Sequence, residues 1–122
     1  MKDRRKILLV DDTPTFLVVL NNILKNDYET MVSTSGEDAL RTALLVVPDL
    51  ILLDVLMPKM TGYEVLAALK ADEKVKHIPV ILVSGKDSDE DEAKGFKLGA
   101  AGYIKKPFDN DTVVSEVNRI CK

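Results

Sequence analysis

Three stretches of the chain are apolar without a break: ILLV at 7–10, LILL at 50–53 and VILV at 80–83. A strand with one face in water alternates polar and apolar residues, whereas a strand covered on both faces reads as a continuous apolar run. These three therefore read as central strands of a parallel sheet. Two further runs, TMVST at 30–34 and GYIK at 102–105, are more polar and read as edge strands. The predicted strands are Lys6–Val10, Thr30–Thr34, Leu50–Asp54, Pro79–Ser84 and Gly102–Lys105. Between them the apolar period changes to that of a helix. Leu17, Leu20 and Leu24 share one face, as do Ala39, Leu40, Ala43 and Leu44, and later Val113, Val114, Val117, Ile120 and Cys121.

Start signals precede each helical pattern. Thr13 with Pro14 fits an N-cap followed by proline at the first helical position. Ser35 with Asp38 and Ser88 with Asp91 resemble capping boxes, Thr61 with Glu64 is a full one flanked by a Met60–Val65 staple, and Asp109 can cap the last helix. Five strand–helix units in strict alternation predict an α/β fold: a doubly wound (βα)5 three-layer sandwich with a parallel five-stranded sheet. Edge strands at the second and fifth positions give the order 2-1-3-4-5. Ligands of such sheets sit beyond the carboxyl ends of the strands, where the first and third strands diverge.

Composition adds limits. With 122 residues, 46% of them hydrophobic and 30% charged, the chain is expected to form one domain, 1–122. A net charge of −3 argues against direct nucleic-acid binding. A single cysteine, Cys121, excludes an internal disulfide framework and fits a reducing, cytoplasmic setting. The basic MKDRRK start is followed by too short an apolar run for a signal peptide, and Leu44–Met57 is broken by Pro48, Asp49 and Asp54, so no membrane span is expected.

The predicted sheet gathers charge at one edge. Asp11 and Asp12 follow the first strand, and Asp54 ends the third, its neighbour. Two carboxylates about 4 Å apart repel by about 4 kcal/mol at an effective dielectric of about 20. Thr13 is available to cap the following helix, so capping does not require both aspartates. The cluster makes sense around a divalent cation, and oxygen donors without His or Cys suit Mg²⁺ or Mn²⁺. The fourth strand ends in Ser84-Gly85 and the fifth in Lys105-Lys106-Pro107. A cation, a hydroxyl, an unobstructed backbone and an ammonium together form a cradle for a phosphoryl group.

In order along the chain, VDD at 10–12, LLDVLMPKMTG at 52–62, VSG at 83–85 and YIKKPF at 103–108 resemble the motifs of response-regulator receiver domains in two-component signalling, a flavodoxin-like fold. The resemblance covers the whole length. It implies that Asp54 accepts a phosphoryl group from a histidine kinase or phosphotransfer protein. It also implies that Asp12, Asp54 and the Leu56 carbonyl bind Mg²⁺ directly, with Asp11 reaching it through water. Ser84, Gly85 and Lys106 would hold the phosphoryl group. Ser84 and Tyr103 would form the switch, the tyrosine turning into space opened by the hydroxyl. Leu56 and Lys86 stand where receivers set the rate of phosphoryl loss.

Other readings fit less well. An aspartyl phosphatase of the haloacid dehalogenase type wants a second aspartate two residues after the nucleophile, where this chain has Leu56. A flavodoxin would meet the FMN phosphate with hydroxyls and glycines rather than with Asp11 and Asp12. A degenerate receiver would lack part of the acidic, hydroxyl and lysine set. The expectation is thus a phosphoacceptor rather than a turnover enzyme. The acidic run 87–92 reads as a solvated first turn favoured by the helix dipole, and His77 as a surface loop residue. The output partner or domain is open, as is whether the receiver stands alone or belongs to a longer protein. Winged-helix response regulators often carry an aspartate before the switch tyrosine and a charged face on the last helices. Here Gly102 precedes Tyr103 and only Arg119 and Lys122 are cations on the last helix, so the resemblance implies a monomer or weak dimer rather than a dimer of that type.

Overall fold

The computed structural model describes residues 4–85 and 89–121. The expectations for Lys86, for the Ser88 start signal and for Lys122 fall outside these residues. The elements alternate without exception: β1 (Lys6–Val10), α1 (Pro14–Leu24), β2 (Glu29–Ser33), α2 (Gly36–Val46), β3 (Leu50–Asp54), α3 (Gly62–Lys70), β4 (Val80–Ser84), α4 (Asp89–Lys97), β5 (Gly102–Lys105) and α5 (Asn110–Cys121). All strand pairs are parallel, in the order β2-β1-β3-β4-β5.

The unbroken apolar runs are explained by a core on each side of the sheet. Ile7, Leu9, Leu50, Leu52, Ile81 and Val83 point to the face covered by α1 and α5. Leu8, Val10, Ile51, Leu53, Val80 and Leu82 point to the opposite face, where α2 and α3 pack through Ala39, Ala43, Val65, Leu66 and Leu69. Burying one such large side chain is worth roughly 2 kcal/mol. A polar residue inside β1, β3 or β4 would forfeit that on one face or the other, so polar chemistry is confined to the strand ends.

Local chemistry sets the boundaries. β4 begins at Val80 rather than Pro79, because proline has no N–H to give the ladder; its carbonyl accepts from Ile51 at 3.1 Å. β2 lies one residue earlier than its apolar pattern suggests. Thr61 and Glu64 form the complete capping box of α3. At α2 only half of one forms: Ser35 Oγ accepts from the Asp38 N–H at 3.1 Å, while the shorter Asp38 side chain pairs with Arg41. Asp109 Oδ1 accepts from the Thr112 N–H at 2.7 Å at the start of α5.

Thr13 corrects an expectation. It stands at the N-cap of α1, but its side chain makes no capping bond. Its N–H instead donates to Asp11 Oδ1 at 2.9 Å. An aspartate readily bonds the backbone two residues on and so fixes a turn. One of the two adjacent aspartates therefore does serve the turn into α1.

Candidate functional site

Register aligns the strand ends. Val10 pairs with Leu53, Asp54 with Val83, and Ser84 with Lys105. Asp11, Asp12, Asp54, Ser84 and Lys106 therefore emerge at one edge, where no sheet neighbour absorbs their polarity. The backbone continues the alignment past the strands: the Val55 N–H donates to the Val83 carbonyl at 3.0 Å, and the Lys106 N–H to the Ser84 carbonyl at 2.7 Å.

Three of these groups form a buried cluster. Lys106 Nζ donates to Asp54 Oδ1 at 3.0 Å and to Asp11 Oδ2 at 3.1 Å. Asp54 is 4% exposed and Asp11 1%, whereas Asp12 is exposed. One oxygen from each of the three carboxylates lies within 4.8 Å of the others. Burial pushes the Asp54 carboxyl up to about 6; the Lys106 hydrogen bond opposes this, and the negative charges of Asp11 and Asp12 add to it. Three carboxylates and one ammonium leave two excess negative charges when all are ionised. The cluster contains only oxygen donors. Charge and donor type both fit a hard divalent cation such as Mg²⁺ or Mn²⁺.

The rim differs from the floor. Ser84 is fully buried at the end of β4. Gly85 is exposed, and nothing lies within 4 Å of where a Cβ would stand, so the backbone there is open to an approaching group. Leu56, two residues beyond Asp54, is 54% exposed. Tyr103 on β5 is half-buried against the α2–α3 core, and its hydroxyl is out of water with no hydrogen-bond partner among the described residues. The tyrosine expected to turn inward is thus already largely inward here.

Two contributors are given no role by the sequence: Gly62, the last residue of the LLDVLMPKMTG stretch, and Phe16, which lies in none of the quoted motifs. Gly62 opens α3 directly against β3: a Cβ there would stand 2.3 Å from the Asp54 carbonyl oxygen and 2.8 Å from Val55 Cα. Both obstacles are backbone, so this close approach requires glycine. Phe16, in the first turn of α1, places its ring face 3.8 Å from Lys106 Nζ. The only hint in the sequence is an aromatic four residues after Asp12, which an amphipathic helix accommodates without special reason.

Comparison with known proteins agrees with this geometry. A family model for the response regulator receiver domain matches residues 7–118. Protein PilH of Pseudomonas aeruginosa is 34% identical over 116 residues, which are 94% of this chain and 96% of PilH. A Vibrio cholerae protein named "Probable cyclic di-GMP phosphodiesterase" is 40% identical over 112 residues, 92% of this chain; the chain spans only 25% of that relative's length. Among solved structures, the chemotaxis protein CheY4 of Vibrio cholerae matches with a TM-score of 0.90 and 30% identity, over 96% of this chain and 98% of that one.

Proposed function

Because the chain belongs to the response-regulator receiver family, we propose that it accepts a phosphoryl group on Asp54 and signals that state to an output partner. The donor is the phosphohistidine of a sensor kinase or phosphotransfer protein. An Asp54 oxygen attacks phosphorus, the P–N bond to the donor imidazole breaks, and an acyl phosphate remains. The observation that carries this reading is the Lys106 ammonium held between Asp54 and Asp11 at 3.0 and 3.1 Å, next to a third carboxylate.

Each residue has a task. Lys106 holds the Asp54 carboxylate in place before transfer and pairs with a phosphoryl oxygen afterwards. The Ser84 hydroxyl and the open Gly85 backbone receive the other phosphoryl oxygens. Asp12, Asp54 and the Leu56 carbonyl would hold Mg²⁺, and Asp11 would act on it through a water. Mg²⁺ there would offset the negative charge on the phosphoryl oxygens and on the carboxylates. Leu56 carries no group that could activate a water, which favours a long-lived phosphoryl group over turnover.

The output passes through β4 and β5. A buried hydroxyl without a partner costs about 1–3 kcal/mol, so the inward Tyr103 is held at a cost. Moving Ser84 toward a phosphoryl group changes the space beside Tyr103 and hence that balance. Reversing a 1:99 population to 99:1 takes about 5.5 kcal/mol. One hydroxyl bond to a charged group supplies about 1.5–3 kcal/mol, so Lys106 must share the task. None of the helices is long and apolar enough to cross a membrane, among the described residues, and we assign the domain to the cytoplasm.

The test is direct. Incubation with acetyl phosphate and Mg²⁺ should add one phosphoryl group, mapped to Asp54 by mass spectrometry. Labelling that persists in Asp54→Asn, or that EDTA leaves undiminished, refutes the assignment.

A further inference from the structure

We propose that Phe16 is a positioning residue for Lys106, holding the ammonium on its aromatic face so that it is aimed at Asp54 and Asp11. This rests on the reading of Asp54 as phosphoacceptor.

A lysine ammonium has three N–H donors and in water all three are solvated. Here the Lys106 side chain is only 14% exposed. Two donors go to the carboxylates at 3.0 and 3.1 Å. The Phe16 ring centroid stands 3.8 Å from Nζ. An aliphatic side chain there would exclude water and return nothing to the charge, which is unfavourable for a buried cation. The ring excludes the same water, but its negative face attracts the ammonium. Phe16 thereby replaces lost hydration without providing a competing acceptor. The ammonium's hydrogen bonds stay with Asp54 and Asp11, and with the phosphoryl oxygens that replace part of that contact.

A second aromatic supports the ring. Phe108 lies 6.1 Å from Phe16, centroid to centroid, with the planes at 55°. Tilted pairs of this kind are favoured by the ring quadrupoles. Phe108 follows Lys106 by two residues, so one short segment after β5 supplies both the ammonium and the support for the ring that faces it. Phe16 is itself fixed in the first turn of α1, where its N–H donates to the Thr13 carbonyl at 3.1 Å. That turn is in turn anchored by Asp11 through Thr13. The ring and one of the carboxylates therefore share a rigid frame.

The experiment separates ring electrostatics from packing. In the wild-type protein the Lys106 Cε protons, bonded next to the Nζ that lies over the ring, should resonate upfield of those of the other lysines in a ¹³C–¹H spectrum, Lys94 excepted because its Nζ lies 4.4 Å from the Tyr63 ring centroid. The shift should persist in Phe16→Tyr and vanish in Phe16→Leu. Phosphorylation of Asp54 by acetyl phosphate should slow about three- to ten-fold in Phe16→Leu, the range of a partly desolvated cation–π contact. Phe16→Tyr should recover most of the rate. Pentafluorophenylalanine at position 16 keeps the ring's shape but reverses its quadrupole, so it should behave like Leu. An unshifted Lys106 in the wild type overturns the proposal. So does a wild-type rate in Phe16→Leu, or a wild-type rate with the fluorinated ring, since packing alone would then explain Phe16. If wild-type protein took no label at Asp54, the phosphoacceptor reading would fail. The Lys106 shift would then decide by itself whether Phe16 holds the ammonium.

Discussion

Replacing Asp54 by Asn should make the metal-free protein more stable, by an amount that depends on pH. The carboxyl is 4% exposed, and burial pushes it up to about 6 from an ordinary 3.8. The ionised form is therefore less favourable in the folded protein than in the unfolded chain. The folded state binds more protons than the unfolded state between pH 3.8 and about 6. Asp54 thus contributes fully to stability below its unfolded value, and the contribution is lost as pH rises through the folded value. A shift of about two units corresponds to about 3 kcal/mol. Asparagine resembles the neutral carboxyl in shape and carries no charge. Lys106 keeps Asp11 as a partner at 3.1 Å. Asp54→Asn should then gain up to about 3 kcal/mol at pH 7. For a domain of this size 1 kcal/mol moves Tm by about 4 °C, so the gain is about 12 °C. The difference between variant and wild type should shrink below about pH 6 and be nearly gone at about pH 4. Thermal or urea unfolding of both proteins in EDTA, from pH 4 to 8, measures this. A variant that is no more stable at pH 7, or one whose advantage is the same at pH 4, would refute the claim that Asp54 is held ionised against its burial. Saturating Mg²⁺ should reduce the advantage, because the wild type gains more than the variant from a cation that binds only the folded state.

Other consequences are narrower. Asp12→Ala should weaken Mg²⁺ binding more than Asp11→Ala does, because Asp12 is exposed while both Asp11 oxygens are already engaged; titration calorimetry giving the reverse order would exchange their roles. Leu56→Glu should shorten the lifetime of phosphorylated Asp54 by placing a water-binding carboxylate at a rim position that is now 54% exposed and apolar; an unchanged decay curve would count against that. Gly62→Ala should destabilise the fold by about 1–3 kcal/mol in chemical denaturation, the usual range for overpacking, since its Cβ would meet Asp54 and Val55 backbone. Lys59 is exposed and has φ of 68°, so Lys59→Asn, which tolerates that conformation, should raise stability by about 0.5–1 kcal/mol; a loss would show that the Lys59 side chain contributes something its exposure does not reveal.

The strand order and the gathering of Asp11, Asp12, Asp54, Ser84 and Lys106 at one edge were legible because both follow from position along strands. Continuous apolar runs identify central strands, and a residue at the end of a strand must emerge at the sheet's edge whatever its side chain does. What the sequence could not show depends on side-chain direction and on contacts between distant segments. Thr13 has the right type and place for a helix cap, yet its side chain makes no capping bond, and its own N–H is taken by the Asp11 carboxylate, which is also drawn toward Lys106. That choice changes the meaning of the adjacent aspartates. Asp11 is committed to the turn and to the ammonium, leaving Asp12 as the carboxylate of the pair that faces solvent. The contacts of Phe16 and Gly62 were hidden for the same reason, although Gly62 closes the LLDVLMPKMTG motif. An aromatic on an amphipathic helix and a glycine at a helix start each have an ordinary local explanation. Only the fold brings the Phe16 ring under an ammonium ninety residues further along the chain, or sets the Gly62 backbone against the carbonyl of Asp54. The charged groups of the site could be read from sequence because charge at a strand end needs a reason. The neutral groups that orient them could not, because an apolar residue or a glycine needs none until its neighbours are known.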